Sequence, residues 1–202
     1  MGIMGEVAKT FVTQSGPGSV EGIIPRALVK IENDPSLIGQ DANSTPATNG
    51  THDTKQHERE IRPAQLKRTN TADAIPADQF GQTTIVLDMH TRKRTMAERV
   101  SEGGLGSGFV ALAGGYGTLE EVMEMVTWNQ LGIHKLPIVL VNINGYWDGL
   151  LNWVRNSIDQ GFVGQGNANI IMEVKKPEDV VEALQSYRVA EGRFKLDWST
   201  KK

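Results

Sequence analysis

Cysteine is missing from all 202 residues, which excludes disulfides, thiolate metal sites and redox chemistry at sulfur, and suits a reducing compartment. Long apolar runs are missing too. No stretch approaches the ~20 apolar residues of a membrane span, and the N-terminal MGIMGEVAKTFVTQSG has no basic segment leading into an apolar one, so neither a spanning helix nor a secretory leader is expected. With a net charge of only -3, the chain lacks the positive excess that would draw a nucleic acid. These absences predict a cytoplasmic protein with no membrane and no nucleic-acid partner. What remains is 39% apolar residues, enough to bury one sizeable core. The expectation is a single α/β domain over residues 1–190, followed by a C-terminal tail, 191–202.

Met4, Val7, Ala8, Phe11 and Val12 share one helical face, so the spacing predicts a helix over 3–14 that stops at Gly16-Pro17. VEGII, 20–24, reads as a strand, followed by Pro25 and a mixed stretch through Glu32. From 39 to 74 the chain is polar and rich in Asn, Thr and Pro, and such a segment cannot bury enough surface to offset its ordering entropy. It is predicted to be a disordered insertion. Beyond it, strands at 83–89, 108–113, 137–143 and 169–174 alternate with helices at about 93–101, 118–130 and 147–160, and with one containing PEDVVEALQSY. Apolar runs alternating with amphipathic helices predict a doubly wound parallel sheet, covered on both faces.

Ligands of such sheets bind beyond the carboxyl ends of the strands, and two of those junctions stand out. After 108–113 comes Gly114-Gly115-Tyr116-Gly117-Thr118-Leu119-Glu120-Glu121, whose glycines allow a close backbone approach and positive φ. The helix it opens offers N–H groups and a positive dipole end to a phosphate. The same letters also fit a capping box in which Thr118 caps the helix and Glu121 bonds back. After 83–89, His90-Thr91-Arg92-Lys93-Arg94 gathers three cations. A charge run of this kind is often simply a solvated face. If strand 83–89 neighbours strand 108–113, Arg92 and Lys93 stand at the same sheet edge as the glycine loop and can hold a phosphate and a ribose.

The strings DMHTRK at 88–93, AGGYGTLEE at 113–121 and TWNQLGIH at 127–134, in that order, resemble the M-H-x-R-K and P-G-G-x-G-T-x-x-E signatures of the Lonely Guy (LOG) family. The resemblance extends from Gly2 to about Val163, the polar insertion excepted, and includes GIMG at 2–5 and GIIPRAL at 22–28. Ala113 stands where the motif has proline, which changes loop stiffness and removes no reacting group. The connection EGGLGSG, 102–108, is longer than usual, and the chain is expected to begin after the family's first strand, which would sit centrally in the sheet.

The resemblance implies a Rossmann-like homodimer that hydrolyses a cytokinin riboside 5′-monophosphate to the free N6-substituted adenine and ribose 5-phosphate, with no metal and no cofactor. It assigns Arg92 and Glu121 as the catalytic pair. Lys93, Gly114, Gly115, Gly117, Thr118 and Glu120 line the nucleotide site, and Glu32 is a further candidate for contact with the base. Cleavage of a ribosyl C–N bond develops positive charge on the sugar, which a carboxylate beside it stabilises. Arg92 would contribute positioning rather than proton transfer. His90 and His134 are weaker candidates as acids for the departing base, and Trp128 is expected in the core or at a dimer contact. Two other readings compete: a nucleotide-binding module without turnover, and a lysine decarboxylase, which needs a lysine to carry pyridoxal phosphate.

Overall fold

The structure, a computed structural model, describes residues 2–33 and 76–198, side chains of 30–33 excepted. The predicted insertion at 39–74 and the Glu32 side chain therefore lie outside the described residues. The chain divides into two compact units, Met1–Arg94 and Thr95–Lys202, and each is described by itself.

In the first unit, helix α1 (Ile3–Ser15) leads through a 3-10 turn at Pro17–Ser19 into strand β1 (Glu21–Pro25). Helix α2 (Arg26–Asn33) follows directly, where the sequence suggested only a mixed stretch. A short helix α3 (Ala77–Phe80) precedes strand β2 (Gln82–Val86), which pairs in parallel with β1 from Glu21↔Gln82 to Pro25↔Val86. The Thr84 hydroxyl donates to the Glu21 carboxylate at 2.7 Å and so closes the strand pair at its side chains. The expected apolar face of α1 is corrected here. Val12 is buried, but Met4 is 79% and Phe11 54% exposed, with Val7 exposed as well. The helix turns Gly5, Ala8 and Val12 inward instead. A two-stranded sheet and a single turn of α3 offer too narrow a surface to cover the larger side chains.

The second unit is a three-stranded parallel sheet, β3 (Phe109–Ala111), β4 (Ile138–Val141) and β5 (Ile171–Val174), with β4 central. Every residue of β4 is buried, and its side chains alternate between two clusters. Ile138 and Leu140 pack with Val122 and Met125 of helix α5 (Tyr116–Gln130) and Leu151 of helix α6 (Asp148–Asp159). Val139 and Val141 pack with Val174 and with Ala183 of helix α7 (Val180–Ser186) on the other face. Period-two alternation in a central strand thus gives a sheet with helices on both sides, the doubly wound pattern. Trp128 joins the first cluster, which is the core reading of that residue. Helix α4 (Met89–Glu102), within which the division between the units falls, lends Ala97 to the same cluster.

The segment after α7 closes the far end of α5. Arg193 donates from Nε to the Asn129 carbonyl at 2.6 Å and from a terminal nitrogen to the His134 carbonyl. The Phe194 N–H donates to the Gln130 carbonyl at 2.8 Å, and the Trp198 indole to the Leu131 carbonyl at 3.0 Å. Carbonyls that a helix end leaves without intrahelical donors are thereby satisfied, one of them by a cation placed at the negative end of the dipole.

The single predicted sheet is corrected to two. Among the described residues β2 pairs with β1, and β3 pairs with β4. With only three residues, β3 offers little backbone for a second partner, and its Val110 is 42% exposed, as on a sheet edge. Strand pairing among the described residues thus does not supply the shared sheet edge expected for Arg92 and the glycine loop.

Candidate functional site

In the first unit the motif is a helix start. The predicted strand 83–89 is too long: β2 ends at Val86 and α4 begins at Met89, so the cations lie on a helix and not in a turn. Asp88 makes this so. Its carboxylate accepts from the Thr91 N–H at 2.8 Å and from the Thr91 hydroxyl at 3.1 Å, and its carbonyl accepts the first helical bond, from the Arg92 N–H at 3.1 Å. This is N-cap geometry, and donation from the Thr91 N–H holds the Asp88 carboxyl below its ordinary pKa.

Arg92, Lys93 and Arg94 follow within the first two turns, where the helix dipole disfavours positive charge. Helix stability does not account for them. Arg92 and Lys93 are half-buried and Arg94 is exposed. The Arg92 Nε donates to the Ile23 carbonyl, midway along β1, at 3.0 Å, which ties the guanidinium to that strand. His90 is exposed in the first turn.

In the second unit β3 leads through Leu112 and Ala113 into the glycine loop, and α5 begins at Tyr116, two residues earlier than expected. Gly115 is then the N-cap and Thr118 the third helical residue. The capping box is thus corrected: no side chain bonds the cap. The first helical bond is made by the Leu119 N–H to the Gly115 carbonyl at 3.0 Å. The N–H groups ahead of it point out of the helix start, which is the arrangement that suits an anion.

The glycines do different things, and none of them has positive φ, contrary to expectation. At Gly114 an added Cβ would overlap the Thr118 side chain, so this glycine lets the loop fold against the helix. At Gly115 and Gly117 an added Cβ would meet nothing within 4 Å beyond its chain neighbours and the helix's own backbone. Their open faces leave the backbone accessible at the helix start. Glu121 lies four residues after Gly117 and three after Thr118, on the same face of α5, and is half-buried, whereas Glu120 is exposed.

A third junction, after β4, was passed over in the sequence. NINGYWD places Asn142 at the strand end, almost fully buried, with its amide saturated: it donates to Asp148 at 2.8 Å and to Glu173 at 2.7 Å, and accepts from the Trp147 N–H at 2.7 Å. Asn144 and Gly145 turn the chain with φ of 53° and 75°, a conformation suited to an Asn-Gly pair. Tyr146 then reaches back and donates its phenolic hydrogen to the Gly114 carbonyl at 2.6 Å. Polar and aromatic residues directly after a buried strand were the available signal.

His134 lies outside this arrangement. Its Nδ1 accepts from the Leu136 N–H at 3.1 Å, and its Nε2 therefore donates to the Met125 carbonyl at 2.9 Å. Burial, against the pull of the Met125 carbonyl, pushes its pKa below the ordinary value. A cavity of about 370 Å³ also lies apart from the glycine loop, along α6 between Leu151, Ile158 and Glu173. In its wall Arg155 meets Glu173 at 3.7 Å.

The residues that the resemblance singles out thus fall at two helix starts, Arg92 and Lys93 on α4, and Gly114, Gly115, Gly117, Thr118, Glu120 and Glu121 at and after the start of α5. Each stands in its own unit. Among the described residues no helix is long and apolar enough to cross a membrane.

Comparison with known proteins covers residues of both units. The model of a family described as possible lysine decarboxylase matches residues 4–184. A bifunctional cytokinin biosynthesis protein of Fusarium pseudograminearum is 39% identical over 197 residues, covering 98% of this chain and 34% of that protein. A probable cytokinin riboside 5′-monophosphate phosphoribohydrolase of Oryza sativa is 36% identical over 140 residues, 67% of this chain and 62% of the relative. A cytokinin riboside 5′-monophosphate phosphoribohydrolase of Arabidopsis thaliana is 39% identical over 113 residues, 56% of this chain and 49% of the relative. In each of these comparisons the chain spans less than two thirds of the relative's own length.

Proposed function

We propose, for a chain that belongs to the Lonely Guy family, the one described as possible lysine decarboxylase, that it hydrolyses the N-glycosidic bond of cytokinin riboside 5′-monophosphates. The products are a free N6-substituted adenine and ribose 5-phosphate. One observation carries the reading: α5 starts at Gly115 without a side-chain cap, beneath glycines whose faces are open, and presents Glu121 one turn along the same face. The activity in the relatives' names supports it.

In this reading the N–H groups at the start of α5 receive the 5′-phosphate, and Gly115 and Gly117 admit it to the backbone. Glu121 lies beside the ribose. As the C–N bond breaks, positive charge grows on the ring, and the carboxylate stabilises that state more than the neutral substrate. The resemblance assigns Lys93 to the phosphate and Arg92 to the sugar-phosphate, a contribution of positioning. Thr118 and Glu120 complete the nucleotide contacts, and the resemblance gives Glu32 as a further candidate for contact with the base. The resemblance adds a homodimer as the working form.

Decarboxylation, the chemistry of the family's description, would call for a lysine that carries pyridoxal phosphate, and the glycine loop presents carboxylates and backbone N–H groups instead. To test the reading, Arg92→Ala and Glu121→Gln are compared with the parent for release of free base from isopentenyladenosine 5′-monophosphate. Each is expected to lower turnover by about a hundredfold while the melting temperature holds, as for charges acting at the transition state. Base release by Glu121→Gln equal to the parent's would reduce Glu121 to an ordinary helix residue.

A further inference from the structure

We infer that Tyr146 is a positioning residue: its phenol, held by the Asn142-centred polar network, clamps the Gly114 carbonyl and so sets the loop that receives the nucleotide phosphate. The inference rests on the proposed nucleotide reading for its ligand, and on the geometry of one unit for the clamp.

The clamp joins two of the strand ends at which the sheet presents its loops. Tyr146 is fixed at its base by the left-handed Asn144-Gly145 turn, and its ring meets that of Trp147 edge to face at 5.0 Å. Trp147 is 5% exposed, and its backbone N–H donates to the Asn142 side-chain oxygen. Asn142 in turn binds Asp148 at the start of α6 and Glu173 of β5, so the loop is tied to two neighbouring elements. From this base the hydroxyl crosses to the Gly114 carbonyl at 2.6 Å.

Gly114 is a point where a clamp has leverage. Its missing Cβ lets Thr118 fold over it, and the next residue, Gly115, is the N-cap of α5. Two bare glycines at and after the cap leave the loop with backbone freedom that binding has to remove. A phenol fixed in a packed loop removes part of it beforehand. Tyr146 is 53% exposed, so burial of its ring does not by itself explain the contact.

Tyr146→Phe keeps the ring against Trp147 and deletes only the hydroxyl. Hydrogen exchange of the ligand-free protein is expected to be several-fold faster at the amides of 119–121, which make the first helical bonds of α5, with β4 and β5 unchanged. AMP affinity and the KM for isopentenyladenosine 5′-monophosphate are expected to weaken by about fivefold, the effect of one hydrogen bond, with kcat within about twofold. Unchanged loop exchange, or faster exchange spread across the whole unit, would overturn the clamp. Faster loop exchange with unaltered AMP affinity and KM would overturn its role in positioning. Should the parent neither bind AMP nor release base, the nucleotide reading itself falls, and with it the role assigned to the clamp; the exchange comparison then shows whether Tyr146 orders the loop at all.

Discussion

Gly114 and Gly117 are the same residue type three positions apart, yet their surroundings assign them opposite work. An alanine at 114 would overlap the Thr118 side chain, while one at 117 would extend into open space. Gly114→Ala is expected to cost about 1–3 kcal/mol of stability, as overpacking does, measured by urea denaturation. Gly117→Ala is expected to leave stability unchanged or raise it by up to about 1 kcal/mol, because alanine is the better helix residue. Its AMP affinity should nevertheless fall by at least about tenfold, since the methyl group occupies the space into which a phosphate must come. Calorimetric titration of the Gly117 variant with AMP reads this directly; undiminished affinity would mean that the loop is turn chemistry alone. Residue types at the site were legible in the sequence because chemistry restricts them: glycines, a threonine and carboxylates after one strand, cations after another. The reason for each glycine was not. Positive φ was the expected reason at 114–117, and steric fit and open space are what the structure has instead.

Helix boundaries decided how the motifs should be read. T-L-E-E looks like a capping box only if the helix begins after Thr118; with Gly115 as N-cap the same residues lie inside the first turns, where Glu121 shares a face with Gly117. The Asp88 cap was similarly hidden, because L-D-M continued an apolar run and read as strand. Local propensity locates an element well and its ends poorly, since an end is fixed by which groups happen to satisfy the terminal N–H and carbonyl groups. Beyond α5, His134 gives a pH signature at this scale. Its folded pKa lies below the ordinary 6.5, so on acidification the unfolded chain takes up a proton that the folded one resists. The sign is therefore that stability from this group is full above pH 6.5 and is lost as pH falls through the folded pKa. Protonation would also set a positive Nδ1 against the Leu136 N–H. His134→Gln is expected to flatten the decline of denaturation midpoint between about pH 7 and pH 5. A parent and variant with identical slopes would show that His134 titrates alike in both states.

For the whole molecule, the alternation of apolar strands with helices was enough to predict a parallel α/β architecture, and the β3-β4-β5 unit realises it with helices on both faces. Strand pairing was beyond the sequence. Which buried run lies beside which depends on contacts between distant residues, and two sheets satisfy the same local pattern as one. The segment after α7 shows the same limit: nothing local marks Arg193 as the residue that bonds the Asn129 and His134 carbonyls. Arg193→Ala removes two charge-assisted bonds and is expected to cost about 2 kcal/mol, or about 4–8 °C in melting temperature for a chain of this size, by differential scanning calorimetry. A melting temperature within a degree of the parent would show that this segment adds nothing to the stability of α5.

The central claim is that the chain breaks a ribosyl C–N bond in a nucleotide recognised through its 5′-phosphate. It is tested most directly by incubating the purified protein with isopentenyladenosine 5′-monophosphate and, in parallel, with the riboside that lacks the phosphate, and quantifying free base and ribose 5-phosphate. The account predicts equal amounts of the two products from the monophosphate, and base release from the riboside slower by about a hundredfold or more, because binding energy at the phosphate is spent in holding the ribose beside Glu121. No free base from the monophosphate, or equal release from both compounds, would contradict it.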